Sequence, residues 1–184
     1  TVTPPVWLTR KHPEICFISR SGQRHHHGGR NHAGYTNPDF RAYSARIAGE
    51  MAKAFGTHPA LHAWQIDNEF RGHQRACLCP ACIAGWHVWL KEKFGDIEKL
   101  NRAWSLELWS QRYDSFEDVP PALPTGSGTQ NHALEHAYRI FQSHVVLEYC
   151  RLQTMAIREH SSSLETSAVI GRTSTPVSSA RAEA

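Results

Sequence analysis

The stretch Leu61-His62-Ala63-Trp64-Gln65-Ile66-Asp67-Asn68-Glu69-Phe70 decides how the rest of the chain is read. Its apolar beginning, Leu61 to Ile66, has the length and the Gly/Pro-bounded setting of a short buried strand. It then breaks into three polar residues, Asp67, Asn68 and Glu69. In an α/β barrel the C-terminal ends of the strands are where side chains converge on substrate, so a carboxylate beside an amide at that point reads as catalytic. The competing reading is a polar strand exit into solvent, with Asp67 or Asn68 closing a turn.

The flanks support a β/α repeat. Upstream, Phe40, Tyr43, Ile47, Met51 and Phe55 recur every three or four residues, and Asn37-Pro38 and Gly56 mark the two ends, so the spacing predicts a helix over 38–55 followed by the strand. Downstream, Ile83, Trp86, Leu90 and Phe94 predict a helix over 80–94, with Gly95 as its stop and Asp96 capping a short helix through Leu100 and Trp104. Residues 117–130 read as a surface loop. A long stripe of Leu134, Tyr138, Phe141, Val145, Tyr149, Leu152 and Met155 predicts a helix from about 131 to 159. Pro4-Pro5 is expected where a strand gives way to a loop, and 11–38 reads as loop, including the triplet His25-His26-His27, taken as a solvated segment.

Between strand and second helix lies Cys77-Leu78-Cys79-Pro80-Ala81-Cys82. Thiolates at these spacings on a tight turn can converge on one tetrahedral ion, and Zn²⁺ is the usual occupant of thiolate-rich structural sites. Three thiols so close together are hard to explain as core packing alone. Cys16 and Cys150 stand apart and read as small buried hydrophobes.

Several collinear segments carry a resemblance: Thr3-Pro4-Pro5-Val6-Trp7-Leu8, His58-Pro59-Ala60-Leu61, Trp64 to Phe70, the Cys-x-Cys-x-x-Cys turn, Trp86-x-x-Trp89-Leu90-Lys91-Glu92-Lys93-Phe94-Gly95, Leu100-Asn101-x-Ala103-Trp104 and Trp109-Ser110-Gln111-Arg112-Tyr113. Over residues 1–160 the chain is similar to the family 42 glycoside hydrolases, which are retaining β-galactosidases. The resemblance implies an α/β fold, a partial (β/α)₈ TIM barrel around the fourth strand and incomplete at both ends. It implies Glu69 as the general acid/base, Asn68 as the donor to the sugar 2-hydroxyl, Arg30 as a galactose ligand and Trp109 as a sugar platform. It also implies a structural zinc held by Cys77, Cys79 and Cys82 with a fourth Cys from the preceding loop. Aligning Arg30-x-His32 with that loop puts Gly34, which cannot coordinate, at the fourth position. His32, His73, His87 or a water are the candidates to complete the site. The family's nucleophilic Glu comes from the seventh strand, beyond this sequence, and Asp67 cannot replace it, because two residues from Glu69 on one strand it cannot face it across a sugar ring.

Length and composition bound these readings. A complete barrel needs at least about 200 and usually about 250 residues, so the 184 residues here are expected to be a segment of a larger enzyme. Residues 161–184, poor in large apolar side chains, are expected to be a disordered or non-family tail after a catalytic-domain segment at 1–160. The formal charge of +3 is modest and scattered, and there is no second Cys/His pair at zinc-finger spacing, so no nucleic-acid partner is expected. No apolar run is long enough for a membrane span, and five cysteines without a paired framework suit a reducing, cytoplasmic compartment. The expected ligand is a β-galactoside or galacto-oligosaccharide, bound by a homo-oligomeric parent. The alternative is a non-catalytic, zinc-stabilised carbohydrate-binding or interaction module.

Overall fold

The computed structural model describes residues 3–29, 31–70, 76–123, 131–161 and 165–170, the last by backbone alone. Its elements run α1 (Val6–Lys11), α2 (Pro38–Phe55), β1 (Ala63–Phe70), α3 (Pro80–Phe94), α4 (Ile97–Ala103), α5 (His132–Arg158) and β2 (Glu165–Ile170), with short 3₁₀ turns between. β1 and β2 pair in parallel. Because parallel neighbours need a crossover, β1, the helices after it and β2 form a βαβ-type unit, which α2 precedes. Among the described residues these two strands form one two-stranded sheet and no closed barrel.

The helix ends follow from their capping residues. Asn37 accepts from the Phe40 N–H before Pro38, which at the first helical position gives up an N–H that would have no intrahelical partner. Asp96 accepts from the Glu98 and Lys99 N–H groups, and Asn131 from those of Ala133 and Leu134, opening α4 and α5 in the same way. Pro5 likewise starts α1 rather than excluding a helix, so 6–11 is helical where a strand-to-loop transition was expected. Leu8 is buried there while Trp7 stays exposed.

The buried face of α2 differs from the one its largest side chains predict. Phe40, Ser44, Ala48 and Ala52, each four residues apart, turn inward, while Ile47 and Met51 remain exposed at 41% and 43%. Small residues let α2 approach α5 closely; the larger ones line a cleft of about 340 Å³ with Trp64 to Asn68 of β1 and Gln153 and Ile157 of α5.

Two cores share α5, which at 27 residues is about 40 Å long. One gathers Phe40, Trp64, Ile66, Phe70, Val146, Tyr149 and Ile157 between α2, β1 and the C-terminal half of α5. The other surrounds Trp86, with Leu90, Leu100, Trp104, Tyr138 and Phe141, between α3, α4 and the N-terminal half. At the far end of the first core Gly56 is required: a Cβ there would lie 2.6 Å from the His160 carbonyl oxygen. That close approach allows Ser161 Oγ to donate to the Gly56 carbonyl and to accept from Trp64 Nε1, both at 3.2 Å.

Residues 165–170 depart from the expected disorder. They lie beside β1 in the register Ala63 to Glu165, Trp64 to Thr166 and Gln65 to Ser167. Thr166, Val169 and Ile170 are β-branched and suited to a strand, but without a long alternating pattern the partner strand supplies most of the instruction.

Tyr149 links the layers of the first core. Its ring stacks on Tyr35 and Phe40 at 4.6 and 5.5 Å, and its hydroxyl lies 2.8 Å from Ser44 Oγ in a fully buried pair. Tyr149→Phe is expected to cost about 1–3 kcal/mol in urea unfolding, because it leaves the Ser44 hydroxyl unsatisfied, and adding Ser44→Ala should recover most of the loss.

Candidate active site and thiol cluster

Alternation along β1 fails where the polar residues begin. Trp64 and Ile66 point inward as period two requires, but Asp67 is buried as well, at 3% exposure, and Asn68 and Glu69 are both half-buried before Phe70 turns in again. The pairing with β2 shows the cause: register shifts fall between Gln65 and Asn68 and between Asn68 and Phe70. Glu69 itself adopts φ 53°, left-handed and unusual for a non-glycine residue. Bulges of this kind re-aim side chains and recur beside active sites. Here the irregularity leaves an adjacent amide and carboxylate both half-buried near the C-terminal end of the strand.

The surroundings hold that shape. Asp67 Oδ1 accepts from the Asn68 N–H at 2.7 Å, and Gln65 Nε2 donates to the Asp67 carbonyl and to Asn68 Oδ1 at 3.2 and 3.3 Å. Asn31 Nδ2 donates to the Glu69 carbonyl at 3.3 Å. Asn31 also has a left-handed backbone, at φ 52°, so two residues in a costly conformation are joined by one hydrogen bond. Sequence reasoning missed Asn31; its only signal was that Asn tolerates this backbone region better than most residues. Burial pushes the Asp67 carboxyl above its ordinary range, with the Asn68 N–H opposing.

Of the other sugar-site candidates, Arg30 lies outside the described residues. Trp109 sits in a turn after α4 with φ 56°; it is 73% exposed and stacks on no other ring among the described residues.

The three cysteines of the Cys-x-Cys-x-x-Cys turn converge. All are buried, and their sulfurs lie within 4.8 Å of one another, a bound that admits the separation of about 3.8 Å that tetrahedral geometry gives thiolates 2.3 Å from one ion. Cys79 is the N-cap of α3, and the turn is tied to the N-terminal loop by Leu78 N–H to the Ile18 carbonyl at 2.8 Å. Hydrogen bonding within the cluster pulls the pKa values apart: bonds from Cys77 and Cys82 lower that of Cys79, while Cys77 is pushed up to about 12 and Cys82 is raised too. Three buried, converging sulfurs are a donor set that can hold a metal ion.

Gly34 faces this cluster. A Cβ built there would lie 3.3 Å from both Cys77 and Cys79 Sγ, so position 34 is the corner from which a fourth side chain would reach the ion. The histidines do not take its place: His32 gives Nδ1 to the Gly29 carbonyl at 2.8 Å, His87 gives Nε2 to that of Val119 at 3.1 Å, and the cluster of ligand atoms among the described residues contains sulfur only. His73 lies outside the described residues. Cys16 is a buried core residue, as its isolation suggests, and Cys150 is half-buried.

The glycoside hydrolase family 42 model, described as β-galactosidase, matches residues 1–180. The chain belongs to glycoside hydrolase family 42. It is 39% identical over 161 residues to the β-galactosidase YesZ of Bacillus licheniformis, covering 88% of this chain and 24% of that protein. To a β-galactosidase of Thermus thermophilus it is 39% identical over 162 residues, covering 87% and 25%. Among solved structures, the β-galactosidase of Halorubrum lacusprofundi superposes with a TM-score of 0.86 at 34% identity, over 91% of this chain and 25% of that one. That of Marinomonas ef1 gives 0.85 at 31%, over 91% and 26%. The chain therefore spans about a quarter of the length of the relatives it matches. The family 42 match runs past residue 160 and takes in β2, which the expected boundary at 160 excluded.

Asp67 gives this family 42 segment a pH signature. A carboxyl with a raised folded-state pKa adds stability that is fully present below its unfolded pKa of 3.8 and is lost as pH rises through the folded value. Asp67→Asn keeps an acceptor for the Asn68 N–H and removes the buried charge. Its unfolding free energy relative to wild type is therefore expected to improve from pH 4 to pH 7, as measured by denaturant titration at each pH.

Proposed function

We propose that the chain is the part of a retaining β-galactosidase that carries the general acid/base, Glu69, and that its nucleophile lies elsewhere in the protein. The observation that carries this reading is the bulged end of β1, where the register shifts and adjacent Asn68 and Glu69 are both half-buried instead of alternating between a buried and an exposed face. A retaining glycosidase needs two carboxylates about 5–5.5 Å apart, one to protonate the leaving oxygen and one to attack the anomeric carbon. Glu69 would give its proton to the aglycone oxygen and later take one from water. Asn68 would donate to the 2-hydroxyl, with Arg30 and Trp109 holding the rest of the galactose. The parallel β1–β2 pair, with α2 and α5 packed about β1, supports a partial (β/α)₈ barrel whose remaining strands continue the sheet.

The substrate class would be β-galactosides, including galacto-oligosaccharides, and the working form a homo-oligomer. Cysteines left as free thiols, and no helix long and apolar enough to cross a membrane among the described residues, support a reducing, cytoplasmic setting.

For the thiol cluster we propose Zn²⁺, bound by Cys77, Cys79 and Cys82. Bound there, it would supply folding energy and no chemistry at the sugar. Its role would be to hold the turn between β1 and α3 in its folded shape.

The acid/base assignment is tested in the full chain by Glu69→Gln. Activity on a galactoside with a poor leaving group is expected to fall by about 10²–10⁴-fold, and far less on a dinitrophenyl galactoside, which needs no protonation to depart. Azide should restore turnover of the activated substrate as the β-galactosyl azide. An equal loss on both substrates without azide rescue would remove Glu69 from this role. The segment of residues 1–184 alone, having one carboxylate of the pair, is expected to show no turnover.

A further inference from the structure

The corner of the thiol cluster at Gly34 is not merely short of a sulfur. Beside it lies a cavity of about 20 Å³, lined by Gly34, Cys77, Cys82 and Asn31 among others. That is room for one water, which needs at least about 10–15 Å³ together with polar partners. One partner is at hand: Asn31 is 4% exposed, and its Oδ1 has no hydrogen-bond donor among the described residues. A buried amide oxygen without a donor is costly enough to call for an explanation.

Protein side chains do not close the corner. The Gly34 N–H is spent on the Ile15 carbonyl at 2.8 Å. Thr36 Oγ1 lies 2.8 Å from Cys82 Sγ, as a hydroxyl bonded to the sulfur, and neutral hydroxyls are not among the usual zinc ligands. His32 is fully buried with Nε2 unpartnered among the described residues, yet neither of its nitrogens falls within the cluster of ligand atoms.

We propose that a zinc ion held by Cys77, Cys79 and Cys82 takes its fourth ligand from solvent, a water seated in the cavity beside Gly34 and donating a hydrogen bond to Asn31 Oδ1. The inference rests on the metal reading above and adds to it. It makes this a three-thiolate site with an exchangeable position, the coordination pattern of open rather than closed zinc sites. It also gives one amide two duties. Asn31 would hold the water through Oδ1 while its Nδ2 holds the Glu69 carbonyl, so the state of the metal site would reach the end of β1 through a single side chain. An open corner further implies a metal that leaves easily, since an incoming chelator can bind before any thiolate departs.

The test is zinc content and zinc K-edge X-ray absorption on the full chain, reduced with a phosphine so that no added thiol can coordinate. One zinc per chain is expected, with three sulfurs at about 2.3 Å, one oxygen at about 2.0–2.2 Å, and no outer-shell scattering from an imidazole. Gly34→Cys should convert the pattern to four sulfurs and slow removal of zinc by a chelator about ten-fold or more, within the range by which supporting contacts alter metal affinity. Asn31→Leu, which cannot accept from the water, should keep one zinc and three sulfurs but speed chelation. Absence of zinc would overturn the metal reading and this inference together. Zinc with an imidazole or a fourth sulfur in the wild-type protein would overturn the open corner alone. Should Gly34→Cys fail to fold, the wild-type spectrum and Asn31→Leu still decide the matter.

Discussion

The packing of two helices against one strand through the Tyr149 ring is the constraint on which the rest of this segment depends. Tyr149 stacks on Tyr35 and Phe40, meets Phe70 edge-on at 6.2 Å and bonds Ser44, so the N-terminal loop, α2, β1 and α5 share one buried side chain. Aromatic pairs at such separations contribute beyond the area they bury, and the buried hydroxyl pair fixes the rotation of α5 about its axis. Because α5 also forms a wall of the Trp86 core, its orientation sets the position of α3 and hence of the cysteine turn at the start of α3. Geometry at the thiol cluster and at the end of β1 is thus inherited from the same helix.

The end of β1 is where regular structure yields to chemistry. A regular strand would place Asn68 and Glu69 on opposite faces. The register shifts and the left-handed backbone at Glu69 break that alternation and leave both half-buried, at a cost in conformational energy that the surrounding hydrogen bonds offset. Asp67 takes the opposite course. It is buried, it accepts from the next N–H, and it shapes the turn from within, which separates its structural part from that of its two neighbours although all three are adjacent polar residues.

Helices α2 to α5 were legible in the sequence, because each carries a periodic apolar pattern and a capping residue at one or both ends, whereas α1 was not. Asn37-Pro38 and Gly56, Pro80 and Gly95, Asp96, and Asn131 delimit α2 to α5 where the sequence places them. The thiol cluster was legible for the same reason: residues two and three apart on a tight turn cannot help being near one another. What could not be read were features settled by distant partners. Which side of α2 is buried was decided by α5, against which Ser44, Ala48 and Ala52 pack while the larger Ile47 and Met51 do not. Residues 165–170 form a strand because β1 offers an open edge, and their composition alone suggested a tail.

Local chemistry therefore wrote the helices, the strand with its Asp-Asn-Glu ending, and the cysteine turn directly into the order of residues, since capping, periodicity and short-range spacing act within a few positions of the chain. Long-range contact decided the burial of Asp67 and the left-handed backbone of Glu69, the hydrogen bond from Asn31 thirty-eight residues away, and the approach of Gly34 to sulfurs more than forty positions later. These depend on where separate elements come to rest against one another, and that is fixed by packing a shared core, which no short stretch of sequence encodes.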